Sequence, residues 1–102
     1  QSLNDFQDDE AVYNLILYSM GYAYQQVKDA QNAAAFFERA AKQTDSLVRE
    51  DALFNLGWIY QKMGETAKSQ QALQQIIDDY PNSLYFEMVQ EELSARKSDS
   101  AS

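Results

Sequence analysis

One stretch of this chain is written twice, and that repetition restricts the folds open to it. Leu17-Tyr18-Ser19-Met20-Gly21-Tyr22-Ala23-Tyr24-Gln25 is answered 36 positions later by Leu53-Phe54-Asn55-Leu56-Gly57-Trp58-Ile59-Tyr60-Gln61. Leucine, glycine, tyrosine and glutamine recur identically at Leu17/Leu53, Gly21/Gly57, Tyr24/Tyr60 and Gln25/Gln61. Between them, Tyr18/Phe54 and Tyr22/Trp58 keep an aromatic ring, and Met20/Leu56 keeps a large apolar residue. Self-similarity at such a period points to stacked structural repeats, each too small to bury its apolar face alone.

The periodicity inside each copy is helical. Leu17, Met20, Gly21 and Tyr24 form one stripe, while Leu15, Tyr18, Tyr22 and Gln25 form a second on another face. With one proline and three glycines in 102 residues, long helices meet few breakers. A helix is expected from Glu10 to about Lys28, preceded by a polar segment over residues 1–10. The carboxylates Asp5, Asp8, Asp9 and Glu10 in that segment suit a helix N-terminus.

A weak turn at Lys28-Asp29-Ala30 leads to a second helix over about Gln31–Gln43, with Ala33, Phe37 and Ala40 facing inward. The second copy repeats the plan: a helix over about Leu47–Lys62, then one over about Thr66–Tyr80. Its inner stripes are Leu53, Leu56, Gly57 and Tyr60, then Ser69, Leu73 and Ile76. Gly64 is placed to take the positive φ of a helix end, and Thr66 to cap the helix that follows. Pro81 stops that helix. Asn82-Ser83 caps a last one over about Leu84–Arg96, with Phe86, Val89 and Leu93 on one side. The division read from this pattern is 1–10 polar segment, 11–46 first repeat, 47–81 second repeat, 82–97 terminal helix and 98–102 disordered serine-rich tail.

A glycine within a helix costs about 1 kcal/mol relative to alanine. Two at matching positions imply close approach of a partner helix, with Ala33 and Ser69 as the small residues facing them. In the second copy the order is Leu53, Leu56-Gly57, Tyr60, Ser69, Leu73, Ile76 and Pro81. In the first it is Leu17, Met20-Gly21, Tyr24, Ala33, Phe37 and Ala40, with Asp45 in place of the proline. This order resembles the tetratricopeptide repeat. The resemblance implies an all-α fold: an α-hairpin right-handed superhelix of two repeats with a C-terminal capping helix. Two departures stand out. The period is 36 where the family has about 34, and Arg96-Lys97 follow Leu93-Ser94 where a tyrosine is expected. The phrase Asp79-Tyr80-Pro81-Asn82-Ser83 is similar to the inter-repeat turn of bacterial envelope members, which favours a periplasmic or envelope location over the cytoplasm.

Members of that family bind peptides along the groove lined by the first helix of each repeat. Carried over, the groove positions are Leu15, Tyr18, Tyr22 and Gln25, then Asp51, Phe54, Trp58 and Gln61, with Asn55 beside them. The expected partner-binding residues are therefore Tyr18, Tyr22, Gln25, Phe54, Asn55, Trp58 and Gln61. Tyr18/Tyr22 and Phe54/Trp58 are i, i+4 pairs that would build an aromatic panel. The glutamines and asparagine suit a backbone amide. The basic clamp that some members use for a terminal carboxylate is missing, since only Lys62 stands near Asp51. A hydrophobic, aromatic or basic peptide fits better than an acidic one. The alternative in another class is a structural self-association module, in which the same rings seal a homodimer or pack onto the rest of a longer chain. The chain opens on Gln1 rather than methionine, which points to a processed protein or an excised fragment.

Charge and composition narrow the rest. Eight basic against sixteen acidic residues give a net charge of −8, which repels phosphate backbones and anionic membrane surfaces alike. No apolar run is long enough to insert in a membrane. With no histidine and no cysteine, the chain has no parts for a nucleophilic triad, a thiolate or the usual zinc sites. Asp78-Asp79 and Glu91-Glu92 diverge by about 100° on their helices. No catalytic residue, metal or cofactor is expected. The reading is a non-catalytic scaffold for protein or peptide partners.

Overall fold

The computed structural model describes residues 3–42 and 48–101, with side chains over 11–42 and 48–97. Among the described residues there are five helices and no strand: α1 (Leu3–Gln26), α2 (Ala30–Ala40), α3 (Arg49–Lys62), α4 (Thr66–Asp79) and α5 (Phe86–Ala101). They fall into two compact units, Gln1–Ala52 and Leu53–Ser102, so the division lies inside α3.

In the first unit α1 and α2 form a hairpin. Phe37 and Ala33 are fully buried on α2, and Leu17 is 4% exposed on α1. Gly21 is buried, and a Cβ built there would lie 2.9 Å from Phe37 Cδ1. The missing side chain is thus what lets the Phe37 ring lie on the α1 backbone. In the second unit Leu73 plays the part of Phe37, 2.7 Å (Cγ) from a Cβ built at Gly57. Ser69, Leu73 and Ile76 have no exposure at all. The Ser69 hydroxyl donates to the Gly57 carbonyl at 2.7 Å, which pins α4 to α3 at the notch. The small residue facing the glycine is therefore both spacer and tie. Full burial of side chains the size of Phe37 or Leu73 contributes roughly 1.5–3 kcal/mol each.

Both hairpin turns have the same hydrogen-bond pattern. Asp29 N–H donates to Tyr24 O (2.9 Å) and Lys28 N–H to Gln25 O (3.0 Å); Glu65 N–H donates to Tyr60 O (2.8 Å) and Gly64 N–H to Gln61 O (3.1 Å). This closure needs a left-handed residue just past the helix. Gly64 supplies it at φ 81°, but in the first copy Lys28 adopts φ 65°. Lysine in that conformation is strained by about 1 kcal/mol relative to glycine. Lys28→Gly is accordingly expected to raise the melting temperature by several degrees. A melt of the variant lower than that of the parent would show that the lysine side chain holds the turn.

Several boundaries differ from the expected ones. α1 begins at Leu3, two turns before Glu10, since nothing from Leu3 onward breaks a helix. The polar 1–10 segment is helical from residue 3. α2 starts one residue early because Asp29 caps it, its Oδ1 accepting from Asn32 N–H at 3.2 Å. The cap of α4 is Glu65, with no side-chain hydrogen bond, and Thr66 is the first helical residue. Gln43 and the Thr44-Asp45-Ser46 segment lie outside the described residues. α4 ends at Asp79, and Tyr80 before Pro81 leaves helical geometry at φ −132°. Ser83 Oγ accepts from Tyr85 N–H at 2.9 Å, so the last helix starts at Phe86 rather than Leu84. It runs to Ala101, through most of the tail expected to be disordered, because serine, alanine and aspartate there include no glycine or proline to stop it. Met20, expected in the inner stripe, is 40% exposed: α2 covers the Leu17/Gly21 side of α1, and Met20 sits on its flank.

Candidate functional site

The expected partner-binding residues divide between the two units. In the first unit, Tyr18 is half-buried and its ring packs on Phe37, centroids 5.3 Å apart at 58°. It therefore belongs partly to the hairpin core rather than facing outward with Tyr22. Tyr22 is 51% exposed, Leu15 is 53% exposed and Gln25 is half-buried. Tyr24 is not buried as its counterpart Tyr60 is. It stacks on Phe36 at 5.5 Å and 14°. The Arg39 guanidinium lies 5.5 Å over the other ring of that stack and donates to the Tyr13 hydroxyl at 2.7 Å.

In the second unit the rings converge. Phe54 and Trp58 meet edge to face, with centroids 5.9 Å apart at 82°. Tyr85, in the turn before α5, lies flat on Phe54 at 4.0 Å and 9°. All three are half-buried, so the cluster has a packed base and an open rim. Tyr85 was not among the expected residues. The sequence Leu84-Tyr85-Phe86 reads as a helix start, and no local pattern aims a turn tyrosine at a ring 31 positions away.

The polar positions are partly committed. Gln61 Oε1 accepts from Arg96 Nη2 at 2.8 Å, which leaves its amide protons and one carbonyl lone pair for a partner. Arg96 also donates to Ser69 Oγ (3.0 Å) and to Glu92 Oε2 (2.9 Å). The sequence has Arg96 and Lys97 side by side where a tyrosine is expected. The structure separates them: the Arg96 side chain is 12% exposed, while Lys97 is exposed. An open cleft of about 570 Å³ lies between α4 and α5, lined by Gln70, Gln71, Gln74, Gln90 and Lys97 among others. Ala67, Ile77 and Leu93 share the lining with these polar side chains.

Among the described residues, no helix is long and apolar enough to cross a membrane, and no group of three His, Cys, Asp or Glu residues could hold a metal ion.

Two family models meet this arrangement of glycine notches and hairpins. Residues 16–44 match one model of the tetratricopeptide repeat, and residues 51–83 match another. Together these matches span more than half of the chain, one for each hairpin, and the chain belongs to the tetratricopeptide repeat family. Repeats of this family mediate protein–protein interaction and typically act as non-catalytic scaffolds. No curated protein and no solved structure matches the chain.

Proposed function

We propose that this chain is an adaptor that holds a peptide segment of a partner protein, with the rings of its first-in-repeat helices as the contact surface. The observation that carries this reading is the open-rimmed cluster of Phe54, Trp58 and Tyr85, three rings stacked in one place without full burial. Such clusters suit an apolar, aromatic or basic side chain of a partner, because aromatic faces contribute area, stacking and attraction to cations together. Tyr22 on α1 is a separate exposed ring for the same use. Gln61 and Asn55 belong to the same helix, α3, as Phe54 and Trp58. An acidic peptide fits poorly on a chain of net charge −8.

The test is capture of partners on immobilised protein, read by mass spectrometry, with Tyr22→Ala/Trp58→Ala as control. Each ring is expected to contribute roughly 2 kcal/mol, so the double variant should lose more than tenfold in partner affinity per ring while helicity stays nearly unchanged. A double variant that captures as well as the parent retires the reading. One that loses cooperative unfolding assigns the rings to the core instead. The Asp79–Ser83 turn supports a bacterial envelope location within this proposal, and cell fractionation decides it.

A further inference from the structure

α1 carries an apolar row that its hairpin does not use. Val12, Ile16 and Met20 follow at i, i+4 spacing along α1, on a flank of the helix beside the Leu17/Gly21 side, and Val27 follows just past the helix end at Gln26. They are 52%, 50%, 40% and 72% exposed. The matching register of α3 behaves differently: Ala52, opposite number of Ile16, has no exposure, and Leu56, opposite number of Met20, has 3%. At these two positions the register is buried in the second copy and open in the first, while Val48, opposite number of Val12, is half-buried and Met63, opposite number of Val27, is 38% exposed. Single apolar residues on a surface are ordinary, but a row of three along one helix, with Val27 just past its end, is a patch.

The charge pattern says what fits on it. From Ala11 to Val27 the helix has no charged residue, and that stretch is bounded by Glu10 and Lys28, which stand equally far from Ser19 on either side. Every other charge of this end, Asp5, Asp8 and Asp9, is acidic and precedes Ala11. We propose that this row is a self-association surface on which two copies of the chain pair α1 against α1, antiparallel, about a two-fold axis near Ser19. Such an axis sets Glu10 of each copy at the level of the partner subunit's Lys28 and brings the two uncharged stretches together, so no charge is buried. A parallel pair would instead align the acidic starts of both helices and add like-charge repulsion. The uncharged stretch is about 25 Å long. A contact of that length gives an interface at the small end of the stable range, roughly 1,200 Å² in total. The dimer is therefore concentration-dependent.

Sedimentation equilibrium on the intact chain tests this. The mass should rise from 11.7 kDa toward twice that value with concentration, and Ile16→Asp/Met20→Asp should hold it at the monomer with unchanged far-ultraviolet circular dichroism. Trp58→Ala should leave the dimer in place. Because the protein has no cysteine, Ser19→Cys is expected to form a covalent dimer on mild oxidation much faster than Glu38→Cys on the exposed side of α2. This comparison carries the test if the aspartate variant fails to fold. A parent that stays monomeric at its highest soluble concentration overturns the proposal. So does a dimer that survives in a folded Ile16→Asp/Met20→Asp variant, or equal cross-linking at both cysteines.

Discussion

Gly57→Leu is expected to unfold the second hairpin. A Cβ at this position meets Leu73 Cδ2 and stands 2.7 Å from its Cγ, inside the distance that real Cβ atoms keep. Leu73 is fully buried and flanked on α4 by Ser69 and Ile76, also without exposure, so it has no free space to move into. Alanine alone brings overpacking of about 1–3 kcal/mol, offset by about 1 kcal/mol of better helix propensity. The net loss for Gly57→Ala is then at most about 2 kcal/mol. Leucine adds three more carbons to the same place, and the loss approaches the lower end of the 5–15 kcal/mol that holds a typical domain together. Gly21→Ala should cost less, because its nearest contact, Phe37 Cδ1 at 2.9 Å, is looser than the one Gly57 would make with Leu73. Urea unfolding monitored at Trp58 reads the ranking directly: Gly57→Leu worst, then Gly57→Ala. Thermal melts by circular dichroism are expected to show the smallest loss for Gly21→Ala. Adding Leu73→Ala to Gly57→Leu should restore part of the loss. If the double variant is no more stable than Gly57→Leu, the notch is not sized by Leu73.

Arg96→Ala is expected to destabilise the second unit far more than a change at an exposed charge. One guanidinium donates to Gln61 on α3, Ser69 on α4 and Glu92 on α5, at 2.8, 3.0 and 2.9 Å. It therefore ties the three helices of the second unit together from a site only 12% exposed. Hydrogen bonds to charged groups contribute about 1.5–3 kcal/mol each but do not add when they share one donor group. The expected loss is on the order of 2–4 kcal/mol. The Glu92 ion pair, 29% exposed, accounts for the smaller part of it. Arg96→Lys should recover less than half, since an ammonium on a flexible stem cannot reproduce the planar fork that reaches three acceptors at once. A midpoint shift for Arg96→Ala no larger than that of an exposed lysine, such as Lys97→Ala, would show that α5 is held by apolar packing through Val89 alone.

The hairpins were legible before any coordinates because their causes are local. The helical stripe through Leu17, Gly21 and Tyr24 and its copy through Leu53, Gly57 and Tyr60 name the inward faces. Phe37 and Leu73, 36 positions apart, meet the two glycines as the repeat requires. The candidate site was legible only in outline. Phe54 and Trp58 were readable as an i, i+4 pair, whereas Tyr18 turned out to be shared with Phe37, and Gln61 was taken by Arg96. Met20 shows the same limit. Its residue type belongs to the stripe, but exposure depends on what stands beside the helix.

The sequence by itself determined the run of helices and where two notches lie, because backbone propensity and the helical period act over a few residues. It put Ala33 and Ser69 opposite the glycines, where the structure sets Phe37 and Leu73. Only the tertiary structure decided that Arg96 turns inward, that Tyr85 lies on Phe54 and that Lys28 takes a left-handed turn that glycine takes in the other copy. Long or flexible side chains point wherever distant acceptors and rings happen to be brought, and no spacing along the chain encodes those meetings.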